Sequence, residues 1–291
     1  MMADPKLRRA DAQPTRAPDL IDTTPLFTEA DAAQLNRRFE HATTQDLLRA
    51  VLLDRVAGDI AVVSSFGAES AILLALVAEI APQTPVLFLD TGKHFPETLA
   101  YRDALIARLG LTNVINLTPD AATLAKRDDT GLRWSFDPDG CCEIRKVKPL
   151  AAALNGTQTE GPLAGHPGFD ATLTGRKSFQ STTRAALPRF ELDRTDTAGR
   201  LKVNPLIDWT SDRIAEAFAT LDLPRHPLVA QGYPSIGCMP CTSIVAPGED
   251  PRAGRWRSWN KTECGIHVDG AASVIPGRGE PDLPPEYDPV F

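Results

Sequence analysis

Short apolar runs alternate along the chain with longer stretches in which apolar positions return every three or four residues. The runs Ile60-Ala-Val-Val-Ser64 and Pro85-Val-Leu-Phe-Leu89 read as strands, and residues 113–117 and 171–174 as two shorter ones. Helical periodicity predicts helices over residues 29–40 and 46–56, with Thr28 and Thr44 as caps, and then over 68–80, 96–109, 121–127 and 142–154. A further helix is expected within 207–221, where Trp209-Thr-Ser-Asp supplies an N-terminal signal. Strand–helix units repeated at this length predict an α/β fold: a single domain with a mostly parallel sheet flanked by helices. No internal repeat or low-complexity block interrupts the pattern.

The ends differ from the middle. Residues 1–26 carry Pro5, Pro14 and Pro18 among polar residues and read as a flexible tail without the apolar core of a signal peptide. After Pro224 the chain becomes rich in Gly and Pro, and residues 268–291 add acids to both. That last part reads as a tail and not a second domain. Residues 252–267 stand apart from it in composition.

The bulk numbers narrow the function classes. A chain of 291 residues, 42% hydrophobic and 24% charged, is an ordinary globular protein with ample core. A net charge of -7 argues against a nucleic-acid partner, although not against a local pocket for a small anion. No apolar run approaches the ~20 residues that span a bilayer, so no membrane partner is expected and the location predicted is cytoplasmic. In that reducing compartment five cysteines favour metal binding or catalysis over structural disulfides.

Ligands of an open parallel sheet bind at the carboxyl ends of its strands. Two such loops are expected side by side: Ser64-Ser-Phe-Gly-Ala-Glu-Ser70 and Leu89-Asp-Thr-Gly92. Ser64, Ser65, Gly67 and Ser70, with Asp90, Thr91 and Gly92, are the candidate anion contacts, because such turns present backbone N–H groups and hydroxyls at a helix start. The first loop resembles the Ser-Gly-Gly-x-Asp-Ser loop of the pyrophosphatase-loop nucleotide enzymes. It departs from that loop at Phe66, in place of glycine, and at Glu69, in place of the expected Asp. Both departures weigh against ATP cleavage and leave a smaller phosphate-linked anion open.

The cysteines fall into two tight pairs, Cys141-Cys142 and Cys238-Met-Pro-Cys241, with Cys264 alone. Two pairs suggest a four-thiolate site. Adjacent side chains rarely point at one small ion, whereas an iron–sulfur cube can take thiolates at two corners; zinc stays as the alternative. Cys264 lies where Arg252, Arg255, Arg257 and Lys261 face a single acid, Glu263. A lone thiol among cations is a candidate nucleophile. Residues 174–190 add Arg176, Lys177, Arg184 and Arg189 with no acid.

The combination Cys141-Cys142-x-x-Arg145-Lys146-x-x-Pro149-Leu150, Gly237-Cys238-Met-Pro-Cys241-Thr242, Gly254-Arg255-Trp256 and Lys261-Thr-Glu-Cys-Gly-Ile-His267 resembles the assimilatory adenylyl-sulfate reductases, which form one family with the phosphoadenylyl-sulfate reductases. The two strand-end loops and Thr174-Gly-Arg-Lys-Ser-Phe-Gln-Ser181 match it as well, so the likeness covers about residues 45–267. It implies an adenine nucleotide alpha hydrolase-like fold with a modified pyrophosphatase loop and a flexible C-terminal catalytic tail. On this reading residues 27–250 are the sulfonucleotide-binding reductase domain and 251–291 the segment with the reacting cysteine.

The resemblance further implies one [4Fe–4S] cluster per chain on Cys141, Cys142, Cys238 and Cys241. Cys264 would attack the sulfur of adenosine 5′-phosphosulfate, release AMP and become an S-sulfocysteine. Thioredoxin or glutaredoxin would then free sulfite, in sulfate assimilation. Lys146, Arg252, Arg255 and His267 would contact the phosphosulfate, with Arg176 beside them. Residues beyond about 250 would close over substrate and reopen for the protein reductant.

Within the family, both cysteine pairs accompany use of adenylyl sulfate; 3′-phosphoadenylyl sulfate, or both nucleotides, is the alternative substrate. An ATP-dependent sulfurtransferase of the pyrophosphatase-loop kind and a zinc-binding interaction module are the rival readings. The first conflicts with Phe66, Glu69 and the acidic charge, and the second needs no Cys264. Homo-oligomerisation is left open.

Overall fold

The computed structural model describes residues 24–181, 184–195, 197–257, 259, 261 and 263–266. Six strands form one sheet in the order β3-β2-β1-β4-β6-β5. They are β1 (Ile60–Ser64), β2 (Val86–Leu89), β3 (Val114–Leu117), β4 (Ala171–Leu173), β5 (Phe190–Leu192) and β6 (Leu201–Val203). All neighbours run parallel except β5 against β6, so the sheet is mostly parallel, with an antiparallel edge.

Both faces of the sheet are covered, and the alternation of side chains along each strand sorts them. Ile60 and Val62 of β1 and Val86 and Phe88 of β2 point into the larger core. There they meet α1 (Glu29–Arg38), α2 (Thr44–Leu52), α3 (Ser70–Ile80), α4 (Pro96–Leu109) and α8 (Ser211–Thr220). Ala61, Leu87 and Leu89 point to the other face, where Leu150, Ala153 and Leu154 of α7 (Lys148–Leu154) pack. The remaining helices, α5 (Ala121–Arg127) and α6 (Pro138–Cys142), lie between β3 and α7 in the chain. Among the described residues no helix is long and apolar enough to cross a membrane.

Three local expectations differ from what forms. Thr28 caps α1 as expected, but α2 is capped by Thr43, whose hydroxyl accepts from the Asp46 N–H at 3.1 Å. Thr44 is instead buried one residue inside and accepts a hydrogen bond from the Trp209 indole at 2.8 Å. β5 and β6 are not foreseen, because three-residue strands with Glu191 and Lys202 at their centres carry almost no periodicity.

The third difference is the helix expected over 142–154. It is broken into α6, a π-turn over Glu143–Val147, and α7. Pro149 lacks an N–H for the carbonyl four residues back, and the Lys148 N–H reaches five residues back to the Glu143 carbonyl.

Residues 1–23 of the expected N-terminal tail, and 267–291 at the other end, lie outside the described residues. Leu26 and Phe27 are held by backbone hydrogen bonds of 2.9 Å to Ala198 and Gly199.

His226 directs the chain from α8 toward the second cysteine pair. Its ring packs against Tyr101 at 4.8 Å, its Nε2 lies 3.1 Å from the Thr98 hydroxyl, and its Nδ1 accepts from the Leu228 N–H. Burial lowers its pKa from 6.5 to about 4, so the fold favours the neutral ring. That stability is fully present above pH 6.5 and is lost as the pH falls toward 4, in total roughly 3 kcal/mol. Urea unfolding of the wild type should therefore weaken over that window more steeply than that of His226→Gln. Equal slopes would count against the assignment.

Candidate functional site

Chain order reverses between β1 and β4: β1 leads to β2 on one side, while β4 lies on the other. The loops leaving β1 and β4 diverge there and leave a crevice at the strand ends. A cleft of about 430 Å³ occupies it. Ser64, Ser65, Gly67, Glu69 and Ser70 line it from β1, and Thr174, Gly175, Arg176, Lys177 and Gln180 from β4.

The β1 loop is rigid by construction. Phe66 has the left-handed φ of 49° that glycine would adopt, and its ring is fully buried edge-on to Phe88 at 5.5 Å. The Ser64 hydroxyl accepts from the Phe66 N–H, and the Ser70 hydroxyl donates to the Gly67 carbonyl at 2.8 Å. Glu69 is not free to hold a metal, since its carboxylate accepts from Lys177 and Gln180, each at 2.8 Å.

The β2 loop lies beside the β1 loop, since the two strands are parallel neighbours, but its middle residues do not reach the cleft. Asp90, Thr91 and Gly92 do not line the cleft, because β2 is on the side of β1 away from β4. Leu89 and His94 reach it instead. Asp90 accepts from the Gly92 N–H at 3.1 Å, closing its own turn. Thr91 is fully buried, with its hydroxyl 3.3 Å from the Cys238 sulfur.

The four paired cysteines do converge. Cys141, Cys142, Cys238 and Cys241 line one small cavity, walled by Trp134, Pro138, Pro240 and Trp256. Cys141 and Cys142 sit at the end of α6, where the wide π-turn begins, and Cys238 and Cys241 bracket a 3-10 turn. Among the described residues no three His, Cys, Asp or Glu side chains converge as ligands of a single metal ion. An all-thiol set drawn from two directions, three of its members buried and with Lys93, Arg145 and Lys146 in the same wall, suits a larger multi-atom anionic group better than one ion.

Burial pushes the Cys141 thiol up to about 12 and raises Cys142 and Cys241 as well. Cys238 goes the other way. Burial alone would raise it, but Lys146, the Thr91 hydroxyl and Arg255 outweigh that effect.

Lys146, Cys238 and Trp256 line both cavities and so form the wall between them. Burial works to lower the Lys146 ammonium, but Cys238, Cys264 and Cys142 reverse it and raise its pKa. One cation thus serves the thiol set and the lone thiol together. Arg255 lies over Gly237, where a Cβ would come within 2.2 Å of its guanidinium, and stacks on Trp256 at 4.4 Å. Its buried Nε has no hydrogen-bond partner among the described residues.

Most other cations near the cleft are already neutralised. Arg176 pairs with Glu191, Lys177 with Glu69, and Arg184 and Arg252 with Glu263. Among the described residues neither Lys146 nor Arg255 forms an ion pair with a carboxylate. The two basic stretches split in the fold. Arg189 turns away to the carbonyls of Phe39 and Ala42, Arg257 pairs with Glu249, and Lys261 with Asp139.

Cys264 is half-buried at the cleft. The segment carrying it is docked: Ile266 packs on the smaller core, and its carbonyl accepts from Lys202 at 3.2 Å. His267 lies outside the described residues. Gln180 is a site residue that sequence reasoning did not single out, while Lys177 and Arg184 were read only as members of a basic run and Glu263 only as the lone acid among cations. The signal available was the acid-free run 174–190 facing the lone acid at 263.

Arg145, next to Lys146, holds this architecture from behind. Its guanidinium donates twice to Asp128, at 2.6 and 3.0 Å, and once to the Thr91 carbonyl at 2.8 Å, with the Asp128 side chain fully enclosed.

Comparison with known proteins agrees with this geometry. A family model described as the phosphoadenosine phosphosulfate reductase domain matches residues 59–244. A Mesorhizobium japonicum protein named adenosine 5′-phosphosulfate reductase is 47% identical over 241 residues, covering 83% of this chain and 89% of that protein. One of the same name from a Chelativorans species is 45% identical over 251 residues, covering 86% and 96%. The crystal structure of phosphoadenylyl-sulfate reductase from Candida auris, a phosphate complex, superposes with a TM-score of 0.60 at 23% identity. It covers 75% of this chain and 98% of that one, a likeness of fold.

Removing one partner of a buried ion pair strands the other. Asp128→Ala should cost about 3–5 kcal/mol in denaturant unfolding. A loss below about 1 kcal/mol, the range of exposed pairs, would contradict the buried clamp.

Proposed function

The chain belongs to the phosphoadenosine phosphosulfate reductase family, and from that premise we propose that it reduces adenosine 5′-phosphosulfate to sulfite and AMP. The observation that carries the reading is Cys264 at a nucleotide-sized cleft beside two cations, Lys146 and Arg255, that have no carboxylate partner among the described residues. The names of the relatives at 45–47% identity support the unphosphorylated sulfonucleotide, as does the presence of both cysteine pairs.

In the proposed reaction the Cys264 thiolate attacks the sulfur of the substrate. A sulfur–sulfur bond forms, and the bond from that sulfur to the phosphate oxygen breaks with its electron pair, so AMP leaves. Lys146 and Arg255 offset the charge that gathers when a thiolate meets a sulfate. A thiolate of a dithiol reductant of the thioredoxin class then attacks the Cys264 sulfur and expels sulfite. Its second thiol resolves the mixed disulfide, so the reductant loses two electrons and Cys264 returns as a thiol.

The four paired cysteines would hold a [4Fe–4S] cluster. Such a group supplies a fixed local charge that polarises the site. Lys146, in the wall between the cavities, would link its field to the substrate, while Thr91 and Arg145 orient its surroundings.

Sulfite release by anaerobically purified protein, assayed with each sulfonucleotide and a thioredoxin system, tests the proposal. Cys264→Ser should lose sulfite release while keeping the visible absorbance of the iron–sulfur group, and Cys141→Ser should lose that absorbance. An active Cys264→Ser variant would remove the nucleophile from the mechanism. Faster turnover of the 3′-phosphorylated nucleotide would overturn the substrate assignment.

A further inference from the structure

Glu263 is the residue immediately before Cys264, and its carboxylate is buried, with 8% of the residue exposed. A carboxylate taken out of water next to the reacting thiol of an enzyme for an anionic substrate is unfavourable on two counts: desolvation, and repulsion of both thiolate and substrate. Its retention in the fold is explained by its partners. Arg184 donates to both of its oxygens in a bidentate pair, at 2.7 and 2.9 Å, and Arg252 adds a third bond at 3.2 Å.

Arg184 does not stand alone. It also donates to the Gln180 side-chain carbonyl at 2.6 Å, and the amide of Gln180 donates to Glu69 at 2.8 Å. Glu69 belongs to the β1 loop that walls the cleft, and the buried Lys177 holds the same oxygen at 2.8 Å. A continuous line of polar contacts therefore runs from the β1 loop, through Gln180 and Arg184, to the residue next to Cys264. Two residues beyond Cys264, the Ile266 carbonyl is held by Lys202, itself paired with Asp193 at 2.6 Å. Between these anchors Gly265 rests on Val147 of the π-turn, where a Cβ would come within 2.9 Å.

We propose that Glu263 is a positioning residue, a carboxylate latch that docks Cys264 over the cleft and links its docking to the β1 loop through Arg184 and Gln180. The Ile266 carbonyl is a backbone anchor and tolerates most changes of side chain. Glu263 is the anchor that depends on side-chain charge. The consequence for turnover rests on the reading of Cys264 as the nucleophile; the docking itself does not.

The test combines Glu263→Gln, which keeps shape and removes charge, with Glu263→Asp, Gln180→Leu and the Glu263→Gln/Gln180→Leu double variant. Alkylation of Cys264 by iodoacetamide is followed by peptide mass spectrometry, alongside kcat, KM and thermal unfolding. Weakening the latch should raise the Cys264 alkylation rate about tenfold or more, since breaking a buried pair far exceeds the cost of one such factor. Turnover should fall mainly in kcat, with Glu263→Asp closer to wild type than Glu263→Gln. Gln180→Leu should move both readouts in the same direction by less, and the double variant should fall short of additivity.

A lowered unfolding temperature with unchanged Cys264 reactivity would make Glu263 merely structural and overturn the latch. Additive effects would remove Gln180 from it. Alkylation needs no sulfonucleotide, so a reactivity shift in a protein inactive on adenosine 5′-phosphosulfate would sink the proposed function and retain the latch.

Discussion

The structure depends on compensating negative charge in one place. Five thiols and an anion-sized cleft are gathered at one edge of a chain whose net charge is -7. Unit charges about 4 Å apart interact by about 1 kcal/mol in water and about 4 kcal/mol in the screened protein environment, so any anionic group at this edge is sensitive to the cations around it. The fold supplies them and then divides them. Arg145, Arg176, Lys177, Arg184 and Arg252 are tied to Asp128, Glu191, Glu69 and Glu263 and act as architecture. Lys146 and Arg255, which line the cleft, have no carboxylate partner among the described residues.

The division is geometric in origin. Pro149 interrupts the helix behind the first cysteine pair, and the π-turn that results lets neighbouring residues reach different partners. Arg145 points back to Asp128 and Thr91, while Lys146 points into the wall shared by the two cavities. Arg255 is placed by a comparable device. It forms an antiparallel bridge with Thr242, next to Cys241, and the following Trp256 has a left-handed φ of 49°. The second cysteine pair and the Arg255 guanidinium are therefore joined by direct backbone contact.

Strand order explains which loops matter. Because β1 is flanked by β2 and β4, two loops could have joined the β1 loop at the site. The crevice opens where the chain reverses direction across the sheet, so the β4 loop joins it and the β2 loop turns to the thiols. Thr91 thus touches Cys238, while Lys177 and Gln180 of the β4 loop line the cleft.

What the sequence determined by itself was local or compositional. The aliphatic runs of β1 and β2, the helix from Pro96 to Leu109, the Thr28 cap and the partition of the cysteines into two pairs and a single thiol depend on neighbouring residues and were legible. The short strands β5 and β6, the π-turn and the cap at Thr43 were not, because each is decided by partners far along the chain or by a choice between adjacent threonines. Tertiary structure alone decided which cations would be paired with carboxylates. Arg176 and Arg255 look alike in sequence, yet one meets Glu191 across the sheet edge while the other lies over Gly237 with no carboxylate partner among the described residues. Electrostatic pairing is a property of distance in space, and the sequence records only distance along the chain.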